Sequence, residues 1–543
     1  MRTADLLIRC LEHEGVEYIF GVPGEENLDV MDALLHSSIE FIVTRHETSA
    51  AFMAGTYGRL TGKPGVCLAT LGPGATNLLT GVANANMDFN PLIAITAQAG
   101  MNRQHKVSHQ YYDMEAVYKP VTKWNTQVKT PEIIPEVVRK AVQVATQEKQ
   151  GATHIELPED VAAMEVDASP LPIAGHAVTC AEEQVIQQAA KLIGEADRPL
   201  ILAGNGIARE KAATALRSFI EKADIPAVQS FMGKGSISWE DEHSLLTAGI
   251  GGKDYITCGF TQADLIIAVG FDIVEYPTEK WNQESNTQIL HIDVEEAETD
   301  THYPVALNVV GNIKVNLEKL TEAVSEKSRN NEWVTSVRKE ALEELAQFED
   351  NSHFPVKPQK IIHDLRAVLG EKDIVISDVG AHKMWMARMY HCYLPDTCLI
   401  SNGLASMGIA VPGAIAAKMV HPDRNIVAVV GDGAFQMTGA ELETAVRLNL
   451  PIVILLWRDG GYGLIEWKQL NEFGRSSHIK FDNPDFIKLA ESYGFEAMRV
   501  SESAELKPML EKAISLKKPV LIDCPVDYSE NVKLTEKLGE IIC

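Results

Sequence analysis

Two aspartates and two glycines define the chemistry this chain can do. Residues 425–459 read NIVAVVGDGAFQMTGAELETAVRLNLPIVILLWRD: an apolar run closes on Gly431-Asp432-Gly433, and the next apolar run closes on Asp459. Gly431 and Gly433 let the backbone approach a ligand with no Cβ in the way, and a helix starting there offers unpaired N–H groups to anionic oxygens. Neighbouring parallel strands bring their carboxyl ends to one sheet edge, so Asp459 joins Asp432. Two hard oxygen ligands plus phosphate oxygens suit Mg²⁺. The plain alternative is a capped βαβ unit with a second loop aspartate.

A different chemistry is offered in FIVTRHETSAAFMAGTYGRLTG, where an apolar strand runs into Arg45-His46-Glu47 and a helix of small residues follows. Glu47 is either a first-turn glutamate favoured by the helix dipole or a buried carboxylate that hydrogen-bonds a heterocycle. Spacing alone does not choose between them.

The elements that must position these groups form an internal repeat. Residues 65–98, GVCLATLGPGATNLLTGVANANMDFNPLIAITAQ, repeat the plan of 425–459: apolar strand, Gly-x-Gly turn, helix, proline, apolar strand. Two doubly wound α/β domains of one design are therefore expected to flank a middle region. That middle has strand signals of its own in PLILAGNGI (199–207), ADLIIAVGFD (263–272) and QILHIDV (288–294), bounded by DASPLPIAG (167–175) and by a charged stretch at 325–358. The fold class predicted is α/β, three doubly wound domains over 1–168, 180–325 and 355–530. GNGIAR at 204–209 lacks a full G-x-G-x-x-G and reads as a tight strand-to-helix turn.

Composition sets the surroundings. A net charge of −26 argues against nucleic acid or an anionic membrane surface as partner, so an anionic cofactor must be held by local dipoles and a metal. The eight cysteines show no C-x-x-C and no zinc spacing, as expected of thiols in a reducing compartment. The start, MRTADLLIRCLEHEGVEYIFGVPG, is amphipathic rather than a signal peptide, and no apolar run is long enough to span a bilayer, so a cytoplasmic protein is expected.

Seven segments in order now make a stronger statement than any motif alone. FGVPG (20–24), RHE (45–47), GKPGVCLATLGPGATN (62–77), HIELPEDV (154–161), SDVGAHKMWMAR (377–388), SNGLASMGIAVPGAIAAK (401–418) and GDGAFQMT (431–438) together resemble the thiamine-diphosphate-dependent acetolactate synthase family over nearly the whole chain. The resemblance implies pyrimidine-binding, central and diphosphate-binding domains. It makes Glu47 the carboxylate on the aminopyrimidine N1′, a proton-exchange task suited to a carboxylate. By the same carry-over, Asp432, Asp459 and the Gly461 carbonyl hold Mg²⁺, while Gly431, Gly433 and Ala434 meet the diphosphate. Met407 wedges between the cofactor rings, the Ala405 carbonyl accepts from N4′, and Gly24, Gly72 and Tyr462 complete the cofactor surface. Without the resemblance, Met407 reads as a helix-packing methionine.

Departures from the family pattern are informative. The second metal position is Asp459 where many relatives have asparagine, and VGFDIVEYPTEKWN (269–282) stands where the flavin-binding synthases carry a G-x-R-F-D-D-R-like segment. The chain is thus similar to the flavin-free, catabolic-type synthases, which implies no FAD. His109 and Gln110 match the His-Gln of those enzymes, with the glutamine facing the reacting centre; a polar loop is the bland reading. Trp467 is out of register with the substrate-channel tryptophan of the biosynthetic enzymes.

The activity implied is decarboxylation of pyruvate and ligation of its two-carbon unit to a second 2-oxo acid, giving 2-acetolactate. A 2-oxo acid decarboxylase releasing an aldehyde is the alternative, and a silent scaffold relative would have lost Glu47, a metal aspartate or the GDG turn. In this family the two halves of the site come from different subunits, so a homodimer or homotetramer is expected.

Overall fold

The computed structural model describes residues 1–534 apart from 174, 176, 250–254 and 347–350. Three six-stranded, all-parallel sheets follow one another along the chain. The first contains β1 (Tyr18–Gly21), β2 (Glu40–Val43), β3 (Gly65–Ala69), β4 (Leu92–Gln98), β5 (Trp124–Gln127) and β6 (Ala152–Pro158). The second contains β7 (Pro199–Ala203), β8 (Ala227–Gln229), β9 (Ser244–Thr247), β10 (Leu265–Val269), β11 (Gln288–Asp293) and β12 (Val305–Val310). The third contains β13 (Ile374–Ser377), β14 (Cys398–Ile400), β15 (Ile426–Gly431), β16 (Ile452–Arg458), β17 (Glu496–Arg499) and β18 (Val520–Pro525). Their inner strands are apolar without alternation, because helices cover both faces: every residue of β3 and β4 is buried.

Strand order carries the internal repeat into three dimensions. The first sheet runs β2-β1-β3-β4-β6-β5 and the third β14-β13-β15-β16-β18-β17, the same topology. In each, the order reverses between the first and third strands of the sheet, and that reversal opens a crevice at the carboxyl edge. The central sheet runs β12-β11-β10-β7-β8-β9, a different winding with its reversal between β7 and β10. GNGIAR forms the tight turn after β7, leading into the short helix Gly206–Arg209.

The outer domains share one hydrophobic core. Helix Glu47–Thr61 packs on helix Ala410–Val420 through small residues, with Ala50, Ala51, Ala54, Ala414 and Ala417 all fully buried. A Cβ added at Gly413 would stand 3.1 Å from Thr56 Oγ1, so close approach is part of the seam. The charged stretch at 325–358 contains a helix, Glu332–Ala346, whose Val334 and Val337 enter the central core. Its many charged residues hide that helix in the sequence. Of the described cysteines, Cys180 alone is exposed.

Candidate functional site

β15 and β16 pair with Gly431 opposite Trp457, so both strands end at the same edge, as the spacing predicts. Gly431 caps helix Asp432–Thr438, and Asp432 is its first residue. The Asp432 carboxylate is buried and hydrogen-bonded through both oxygens: Oδ1 accepts from Gly433 N at 2.8 Å alone, and Oδ2 accepts from Asp459 N (3.1 Å), Gly460 N (2.8 Å) and Asn483 Nδ2 (2.7 Å). One aspartate thus ties the two loop ends into a single rigid edge. Burial, and then the neighbouring Asp432 charge, push the Asp459 carboxyl up to about 7. Two carboxyl groups held close in low dielectric cannot both ionise freely, and a cation placed between them would relieve that.

This edge faces a cleft of about 650 Å³ lined by Gly380, Ala405, Met407, Gly431, Asp432, Gly433, Ala434, Asp459, Gly461 and Tyr462 among others. It lies at the carboxyl ends of β13 and β15, where the sheet order reverses. A Cβ at Gly433 would approach the Tyr462 ring to 2.9 Å, so glycine keeps the cradle open. Ala405 has φ +55°, a left-handed conformation that costs a non-glycine residue roughly 1 kcal/mol or more. Met407 sits in a turn rather than a helix and leans on the shared core.

His382 also lines the cleft, a residue that sequence reasoning did not single out. It is 3% exposed, burial depresses its pKa to about 3, and its Nε2 has no hydrogen-bond partner. A buried imidazole nitrogen left unpaired beside a glycine-lined cradle is a donor or acceptor awaiting a ligand. The signal was available: His382 follows the Asp-Val-Gly turn after β13, the strand beside β15.

The other sequence-derived residues collect on the first domain. Gly24 follows β1 and Gly72 follows β3, flanking the equivalent crevice, and Gly72 has φ +55°. Gln110, at φ +56°, lies against Gly72 so closely that a Cβ there would stand 2.8 Å from the Gln110 Cβ. His109 is exposed, and its carbonyl accepts from Arg103 Nη1 at 3.2 Å. Glu47 opens its helix with His46 as N-cap, and its Oε2 accepts from Asn77 Nδ2 at 3.0 Å. No residue of the first domain lines the 650 Å³ cleft, so one chain brings the two sets to separate places.

Below the 99–113 loop lies a carboxyl with its own pH signature. Glu156, 1% exposed, accepts from Gln98 Nε2 (2.6 Å) and Gln127 Nε2 (2.7 Å), while the Gln98 amide also donates to the Tyr112 carbonyl (2.8 Å). Burial raises its pKa from the ordinary 4.5 to about 7, against the lowering by those two amides. The fold therefore binds this proton more tightly than the unfolded chain does. Its destabilisation is absent below pH 4.5 and complete above about pH 7. Glu156→Gln removes the charge at constant shape, so we expect the melting temperature to rise by about 3–6 °C at pH 8. At pH 5 the gain falls to about a quarter of that. An equal gain at both pH values would contradict this origin.

Comparisons with known proteins cover all three domains. Residues 1–117 match the model "Thiamine pyrophosphate enzyme, N-terminal TPP binding domain", 186–320 the central domain and 378–524 the C-terminal TPP binding domain. The chain is 35% identical to "Acetolactate synthase" of Bacillus subtilis (strain 168) over 100% of its own length and 97% of that protein's. It is 35% identical to "Probable acetolactate synthase large subunit" of Methanocaldococcus jannaschii, covering 100% of this chain and 94% of the relative. With "Acetolactate synthase, catabolic" of Raoultella terrigena it shares 33% identity over 98% of this chain and 97% of the relative.

Proposed function

From the premise that the chain belongs to the thiamine pyrophosphate enzymes, and among them to the acetolactate synthase family, we propose that it decarboxylates pyruvate and ligates the two-carbon unit to a second pyruvate, giving 2-acetolactate. The observation that carries this reading is the pair of equivalent crevices: a diphosphate cradle at the third sheet and a lone helix-start carboxylate, Glu47, at the first. When bound, thiamine diphosphate supplies a carbon nucleophile and an electron sink for the departing CO₂.

The chain's own residues do the rest. The Ala434 amide at the helix start and the unpaired His382 Nε2 are suited to diphosphate oxygens, while Gly431 and Gly433, the latter with its own N–H on Asp432 Oδ1, leave room for their approach. Asp432, Asp459 and the Gly461 carbonyl are suited to Mg²⁺. Among the described residues no three His, Cys, Asp or Glu side chains form a metal-holding group, so the remaining oxygens come from diphosphate and water, as Mg²⁺ sites draw them. Glu47 holds a proton at the aminopyrimidine nitrogen. The Ala405 carbonyl, aimed by its left-handed backbone, and the Met407 side chain would hold the cofactor's heterocycles, and Gln110, with His109 beside it, would orient the 2-oxo acid.

A homodimer is the smallest complete unit in this reading, and a homotetramer its doubled form. Supporting it, the cleft contains no Glu47, and the exposed apolar side chain of Ile465 (46%) is part of its lining. Among the described residues no helix is long and apolar enough to cross a membrane. A cytoplasmic location, with neither nucleic acid nor membrane as partner, suits small anionic 2-oxo acids and a chain of charge −26.

FAD is not part of the proposed enzyme, and a buried carboxylate in the central domain supports that reading. At its β7/β10 reversal, where a dinucleotide's pyrophosphate would meet the Gly204-Asn205-Gly206 turn, the Glu275 carboxylate is already present. It is 2% exposed and accepts Asn205 N at 3.0 and 3.1 Å, Asp272 N at 3.1 Å and the Ser230 hydroxyl. A product assay on pyruvate with thiamine diphosphate and Mg²⁺, with and without FAD, tests the whole reading. We expect 2-acetolactate, scored as acetoin after acid treatment, at a rate indifferent to FAD. Free acetaldehyde as the main product would favour the simple decarboxylase, and a stoichiometric flavin absorbance in purified protein would refute the flavin-free assignment.

A further inference from the structure

We propose that Glu441 is a positioning residue for Glu47, a role that rests on reading Glu47 as the proton-relay carboxylate. Glu441 ends the short turn Gly439–Glu441 that follows the GDG helix, and leads into helix Leu442–Arg447. It is 0% exposed, yet it belongs to the third domain and reaches across the seam to the first. Its Oε1 accepts from the backbone N–H of Arg45 at 2.9 Å and of His46 at 3.2 Å, the two residues immediately before Glu47. Its Oε2 accepts from Thr444 Oγ1 at 2.6 Å, which fixes the carboxylate plane.

Mere domain adhesion does not need such a group. The seam is already made by small apolar residues, and burying a carboxylate is costly unless donors surround it. Here the donors are the last peptides before the Glu47 helix, so the carboxylate sets where that helix begins. The same strand end is gripped twice more: Arg45 Nε donates to Glu443 Oε2 at 2.6 Å, and Arg447 Nη2 donates to the Val43 carbonyl. One continuous segment, 431–447, therefore carries the diphosphate cradle at its start and the anchor of Glu47 at its end.

A double-mutant cycle on the intact enzyme separates positioning from glue. The measured rate is deuterium exchange at C2 of bound thiamine diphosphate, read by NMR after acid quench. Thiamine diphosphate affinity and amide exchange of residues 43–50 in cofactor-free protein are measured alongside. Glu441→Gln is expected to slow C2 exchange about tenfold, to speed amide exchange at 43–50, and to leave cofactor affinity within about twofold. Because Glu441 acts through Glu47, the double variant with Glu47→Gln should be no slower than Glu47→Gln alone. Multiplying losses, or wild-type C2 exchange in Glu441→Gln, would overturn the proposal. Thr444→Val, which frees the carboxylate plane without removing it, should slow C2 exchange about threefold and serves if Glu441→Gln does not fold; no change there also counts against it. Unaltered exchange in Glu47→Gln would instead defeat the proton-relay reading beneath.

Discussion

Glu47→Gln should lower pyruvate turnover by about a thousandfold, within the 10²–10⁴ range that a positioned acid–base group supplies, while the protein still binds thiamine diphosphate. The amide preserves the shape of the carboxylate and can still accept from Asn77 Nδ2 through its oxygen, so the helix start keeps its geometry. What it loses is the ability to exchange a proton with a ring nitrogen. Binding survives because the groups suited to diphosphate and metal sit in the 650 Å³ cleft of the third domain, with no first-domain residue among its lining. The expected signature is thus a fall in kcat with the cofactor titration midpoint moved by less than about threefold. Steady-state kinetics and a fluorescence titration on the same preparation check it. Turnover within threefold of the parent would remove Glu47 from the chemistry.

Local signals made the site's two edges legible and hid what joins them. The Gly-Asp-Gly turn, the second aspartate and the repeated strand-turn-helix plan are all sequence-near features, and the identical winding of the first and third sheets is their three-dimensional form. The motif residues also fall at the two order reversals, because a crevice there is a property of topology. His382 was missed for an instructive reason. Its meaning comes from an unpaired Nε2 at 3% exposure, and burial of a single polar atom has no periodicity to read. Glu275 and Glu441 were opaque for the same physical cause: each is charged, fully buried and answered by backbone N–H groups far away in the chain, 70 residues off for Asn205 and 396 for Arg45. In sequence both look like solvated surface carboxylates. Only tertiary packing makes them costly, within the central domain for Glu275 and of the third domain on the first for Glu441, and so informative.

The separation of Glu47 from the cleft carries the other large prediction. Glu47→Gln and Asp432→Ala enzymes should each be nearly inactive, the second by about two orders of magnitude through loss of the metal and its diphosphate. If each site takes Glu47 from one subunit and Asp432 from its partner, a mixed dimer contains one site with both lesions and one with neither. Equal co-expression gives half mixed dimers, so activity should recover to about a quarter of the parent value by random assortment of a two-fold symmetric pair. Were the site to close within one chain, every site in the mixture would keep a lesion and activity would stay at the background of the parents. Asp432 also accepts from Asp459 N and Gly460 N, so Asp432→Ala loosens that edge, and a melting curve for each homomer guards against simple misfolding. Recovery cannot come from repair of a fold, because neither lesion is corrected in its own chain; it requires the cradle of one subunit to be served by the carboxylate of the other.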